Sequence, residues 1–113
     1  MKIIAALAVG LMLTACTSLD ETVASAPSTT VQSAKPVSDV LDCINSAWVL
    51  QATVRTEQIP GGHRLYTDDS RFRGPAHVVE IVQNSKGTTV RYWENTQWNT
   101  QEFQGPVMAC TRG

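Results

Sequence analysis

Residues 77–94, HVVEIVQNSKGTTVRYWE, carry the reading of the fold. Residues 77–83 form an apolar-rich run of strand length. Asn84-Ser85-Lys86-Gly87 is turn chemistry, and residues 88–94 return with period two. Val90 and Tyr92 then share one face, and Arg91 and Trp93 the other. A lone hairpin is marginal in water, so this one needs further strands or a helix to bury its apolar face.

Working outward, Trp48, Leu50, Ala52 and Val54 alternate with Val49, Gln51, Thr53 and Arg55, which reads as a half-buried strand. Pro60-Gly61-Gly62 marks a turn and residues 64–67 a short second strand, followed by an irregular loop through Asp68-Asp69-Ser70 and Arg73-Gly74-Pro75. Upstream, Ser38 is placed to cap a helix with Asp39 in its first turn. Val40, Leu41, Ile44 and Trp48 fall on one helical face over about residues 38–47. Downstream, Trp98 to Phe103 reads as a last strand, and Gly105-Pro106 with residues 107–110 as a short helix, since Pro suits a first helical turn, with an edge strand as the alternative. The expected fold class is α+β: an N-terminal helix packed on a three- to four-stranded antiparallel meander, with a short C-terminal helix and one disulfide.

The chain has 113 residues with 9 basic and 10 acidic side chains, a formal charge of -1. No basic excess exists to neutralise phosphates, so nucleic acid is not an expected partner. Much of the apolar content sits at the start. Met1-Lys2 precedes the eleven-residue run IIAALAVGLML, shorter than the roughly 20 residues a spanning helix needs. It matches the apolar region of a secretory signal. Leu13-Thr14-Ala15-Cys16 follows. Residues 1–16 resemble a bacterial prolipoprotein signal ending in a lipobox. The resemblance implies cleavage after residue 15 and lipidation of Cys16, with two or more acyl chains holding the protein on a membrane it does not cross. Thr17, where an Asp would signal inner-membrane retention in enteric bacteria, implies the outer membrane, facing the periplasm. The mature chain keeps 8 basic against 10 acidic residues.

Residues 17–37 contain 13 Ser, Thr, Ala or Pro out of 21 and no aromatic residue, the composition of a disordered tether. The expected organisation is thus a signal over 1–15, a lipidated Cys and tether over 16–37, and one small domain over 38–113. Cys43 and Cys110 remain after Cys16 is lipidated. In an oxidising, exported location such a pair is expected as a disulfide closing 67 residues. A redox thiol pair and a metal site are the alternatives; only His63 and His77 are there to complete four zinc ligands. No metal or other cofactor is expected.

Val40, Cys43, Ile44 and Trp48, in the pattern V-x-x-C-I-x-x-x-W, together with Ala109-Cys110, resemble a group of small uncharacterised proteobacterial and prophage-associated lipoproteins. That group has no assigned activity, so the resemblance implies no functional residues. His63 and His77 read as surface histidines, because Ser70 with Asp68 or Asp69 has no nucleophile elbow around it. Glu80, Glu94 and Glu102 are the carboxylates for acid–base chemistry, but a hairpin charge pair with Arg91 explains them equally well. The better-motivated candidate is a binding loop of His63, Arg64, Arg71, Phe72 and Arg73, whose guanidinium groups suit phosphate or carboxylate partners. Trp93 and Trp98 flank a turn, and an exposed one would offer a partner surface. The expectation is a non-enzymatic, membrane-anchored envelope protein that binds an envelope protein or cell-wall partner. The alternative is an inhibitor or exclusion lipoprotein: the size, anchor and disulfide are similar to those of membrane-bound inhibitors of c-type lysozyme, and residues 87–92 faintly resemble their inhibitory loop. Those inhibitors are all-β barrels, from which an N-terminal helix departs.

Overall fold

In a computed structural model the described residues are 19–68, 75–96 and 100–112. Cys16 and the lipobox lie outside them. The order is α1 (Leu19–Ala24), β1 (Thr29–Ser33), α2 (Val37–Trp48), β2 (Val54–Ile59), β3 (Gly62–Thr67), β4 (His77–Asn84), β5 (Gly87–Glu94) and α3 (Thr100–Thr111). The class is α+β as expected, but the sheet has five strands, in the order β1-β5-β4-β3-β2, all neighbours antiparallel.

The extra strand corrects the tether. Residues 29–33 pair with β5 from Thr29↔Tyr92 to Ser33↔Thr88. Thr29, Thr30 and Val31 are β-branched, which suits a pleated surface once β5 offers an edge. Thr22 is buried in α1, so the ordered chain starts well before residue 38.

The hairpin of β4 and β5 forms as its sequence dictates, with Asn84↔Gly87 closing a two-residue turn. Gly87 has φ +139°, and a Cβ there would stand 2.2 Å from Ser33 O. Only glycine permits both that backbone and that approach of β1. The turn between β2 and β3 places Gly61 at φ +80° after Pro60, the combination a type II turn requires.

Helix α2 starts one residue before the expected Ser38. Pro36 is its N-cap at φ -69°, and its carbonyl accepts from Asp39 and Val40 N–H at 3.1 and 3.3 Å. Ser38 makes no cap bond among the described residues. The helix continues through Trp48, so the strand expected over residues 48–55 lies instead at Val54–Ile59. Leu50, assigned to its inward face, is 85% exposed.

Residues 100–103 are helical instead of strand-like, and Pro106 lies inside α3 rather than at its start. An interior proline leaves the carbonyl four residues back without its helical donor. Gln51 Nε2 donates to that carbonyl, Glu102 O, at 2.9 Å, and Trp48 Nε1 donates to Phe103 O at 3.0 Å. The Cys43–Cys110 disulfide joins the same two helices with Cα atoms 5.7 Å apart. Contacts 43–110 and 48–103 make α2 and α3 antiparallel over one sheet face. Their Val40, Ile44, Trp48, Phe103 and Val107 pack on Leu65, Val79, Ile81, Val90 and Tyr92.

Candidate binding surface

Side chains alternate across a sheet, so the face away from α2 and α3 carries the other half of each strand. One row crosses it in register: Glu57 on β2, Arg64 on β3, Glu80 on β4, Arg91 on β5. Arg64 is the centre of that row. Its Nε and Nη2 donate to Glu80 Oε2 at 2.9 and 2.6 Å, and its Nη1 donates to Glu57 Oε1. Burial alone would lower the Arg64 pKa; the bonds and charges of Glu80 and Glu57 outweigh it and raise the value. Glu80 is thus taken from the β3 side by Arg64, and Arg91, the expected hairpin charge partner, is exposed.

This geometry corrects the candidate loop. His63 and Arg64 lie inside β3, and consecutive strand residues point to opposite faces, so they do not converge on one ligand. Arg64 is committed to two carboxylates. His63 Nδ1 is buried on the helix side without a hydrogen-bond partner among the described residues. Arg71, Phe72 and Arg73 lie outside the described residues, as does Trp98. At the near rim, Arg55 bonds Asp68 with Nε–Oδ2 at 3.0 Å, both side chains being at least half exposed.

His77 is not a surface histidine; it is 3% exposed. Its ring stacks on Phe103 with centroids 3.9 Å apart and 12° between planes, and Trp48 meets it edge-on at 6.3 Å. His77 Nδ1 lies 2.7 Å from the Tyr92 hydroxyl. Burial first, and then the charge of Glu94, push the Tyr92 pKa above its ordinary value, which keeps the phenol protonated beside the imidazole. Trp93 is likewise buried, because the α1 segment folds over it: its Nε1 donates to Ser25 O at 3.0 Å.

A concave surface among the described residues lies at the other end of the sheet. Two adjoining open clefts of about 440 and 460 Å³ share Ala34, Asn84 and Lys86. Asn84 Nδ2 donates to Gln32 Oε1 and Thr89 Oγ1 at 2.8 and 2.7 Å, and its Oδ1 accepts from Lys86 N–H at 2.7 Å. Thr88 Oγ1 donates to Lys35 O, which fixes the start of α2 against β5. The surface therefore offers amides, hydroxyls and one exposed ammonium, chemistry that holds polar or anionic groups. Sequence reading missed it because Gln32 counted as tether and Asn84-Ser85-Lys86 only as a turn; the β1–β5 pairing brings them together.

Among the described residues no helix is long and apolar enough to cross a membrane, and no three His, Cys, Asp or Glu gather as a metal site. Comparison with protein-family models, characterised proteins and solved structures found no match for this chain.

Proposed function

We propose that this chain is a lipid-anchored protein of a bacterial envelope that works by binding rather than by turnover, with the amide-lined clefts beside Lys86 as its contact surface. The observation that carries the reading is the Cys43–Cys110 bridge. It pairs the two cysteines left over when Cys16 is assigned to lipid, and such bonds form and persist in exported compartments. Leu13-Thr14-Ala15-Cys16 supplies the anchor. The groups that catalysis would draw on support binding: His77 is stacked in the aromatic core, and Glu57 and Glu80 hold Arg64. The outer membrane, facing the periplasm, is the location that Thr17 favours.

Fractionation of cells expressing the full chain tests this. Wild type is expected in the membrane pellet and Cys16→Ser in the soluble fraction. Crosslinking from Lys86 is expected to capture an envelope component with wild type, and less of it with Lys86→Ala. Equal partition of wild type and Cys16→Ser would overturn the anchor. Turnover of peptidoglycan by the purified chain would overturn the binding assignment.

A further inference from the structure

The outer edge of β2 carries a self-complementary pattern. The two-residue turn makes Ile59↔Gly62 a hydrogen-bonded pair, and antiparallel alternation makes Glu57↔Arg64 and Arg55↔Tyr66 bonded pairs as well. Asp68 N–H donates to Thr53 O at 2.8 Å, one step further in the same alternation. The N–H and C=O groups of Val54, Thr56 and Gln58 are therefore turned away from β3. Among the described residues no strand pairs with that side. β2 contains no proline and no lysine, two of the usual edge protections.

We infer that this edge pairs with the same edge of a second copy, antiparallel about a two-fold axis through Thr56. That register sets Thr56 opposite Thr56 and Val54 opposite Gln58, each pair with its outward groups in phase. It sets Arg55 opposite Glu57, twice, on the face away from the helices. Directly opposed unlike charges favour a pairing and like charges oppose it. The neighbouring two-fold registers fail. An axis through Val54 places Arg55 opposite Thr53, and one through Gln58 places it opposite Gly61; axes through Arg55 or Glu57 set like charges directly opposite, Arg55 against Arg55 or Glu57 against Glu57. Arg55 is free to join because its present partner, Asp68, is exposed. Glu57 is already held in the row by Arg64. The pair extends the alternating row Glu80–Arg64–Glu57 by one guanidinium on each side and joins two five-stranded sheets. The contact is small, so it belongs with weak interfaces.

A cysteine at the axis tests it. Hydrogen-bonded antiparallel partners have Cα atoms about 5.5 Å apart, within disulfide range. Purified Thr56→Cys chain is expected to oxidise to a species of twice its own mass, with Cys43–Cys110 retained. Gln58→Cys, which faces Val54, is expected to crosslink at least tenfold less. Adding Arg55→Glu to Thr56→Cys is expected to suppress the crosslink, and mixing that variant with Thr56→Cys/Glu57→Arg to restore it as a heterodimer. Without any engineered cysteine, Thr56→Pro, which removes only an outward N–H, is expected to abolish the self-association that light scattering reads at ~1 mM. A wild type monomeric at that concentration, equal crosslinking at positions 56 and 58, or insensitivity to charge exchange would overturn the inference. Crosslinking of Thr56→Cys in cell extract to other proteins only would replace the second copy by another chain's strand.

Discussion

The indole N–H of Trp48 donates to the backbone carbonyl of Phe103 across 3.0 Å of buried space, while the two rings meet edge to face at 5.2 Å. One side chain thus ties α2 to α3 by a directed bond and by packing. Trp48→Phe is expected to cost about 2–3 kcal/mol, from an unmade buried hydrogen bond and the space the indole leaves. Gln51→Ala, which breaks the exposed bond to Glu102 O, should cost about 0.5 kcal/mol or less. Urea unfolding of the two variants checks the difference.

Arg64 distinguishes its two carboxylates by burial. The Glu80 side chain is 12% exposed and that of Glu57 39%. Glu80→Gln is therefore expected to destabilise by about 1–2 kcal/mol and Glu57→Gln by about 0.5 kcal/mol, the more exposed contact being screened by water. Added salt should narrow the second loss and leave the first nearly unchanged.

Alkali should report on Tyr92. Its folded pKa lies above the ordinary tyrosine value of 10.0. Below pH 10 both states keep the proton and the contribution to stability is complete. Above it the unfolded chain loses the proton while the folded one retains it, so stability falls as pH rises from 10 toward the folded pKa. Tyr92→Phe is expected to cost about 1 kcal/mol at neutral pH, because the buried hydrogen bond between the hydroxyl and His77 Nδ1 is lost. It should also flatten the alkaline limb. Denaturation midpoints across pH 8–12 provide the check.

Gly87→Ala meets two obstacles, φ +139° and a Cβ placed 2.2 Å from Ser33 O. A loss of about 1–3 kcal/mol is expected. Amide exchange should accelerate first in Thr29–Ser33, the strand that the new methyl group pushes away. Uniform acceleration across all five strands would refute that placement.

The legible parts were those with short-range causes. The β4–β5 hairpin follows from period-two alternation and a four-residue turn, and α2 from the spacing of Val40, Ile44 and Trp48. The errors share a nonlocal cause. Residues 29–33 are a strand only because β5 presents an edge to them. Alternation after Trp48 was coincidental, since helix α2 retains Trp48 and Leu50 faces solvent. Pro106 sits inside α3 because Gln51 and Trp48, more than 50 residues away, satisfy the neighbouring carbonyls. Of the candidate residues, the disulfide pair was readable from cysteine number together with the exported location that the lipobox resemblance implies. The fate of Arg64 required knowing that β2 and β4 flank it.

The division of the three cysteines is tested most directly by non-reducing mass spectrometry of the protein isolated from cell membranes. Expected are an N-terminal Cys16 peptide carrying two or three acyl chains and a single linked peptide pair joining Cys43 to Cys110. An intact residue 1–16 segment without lipid, or free thiols at 43 and 110, would contradict it.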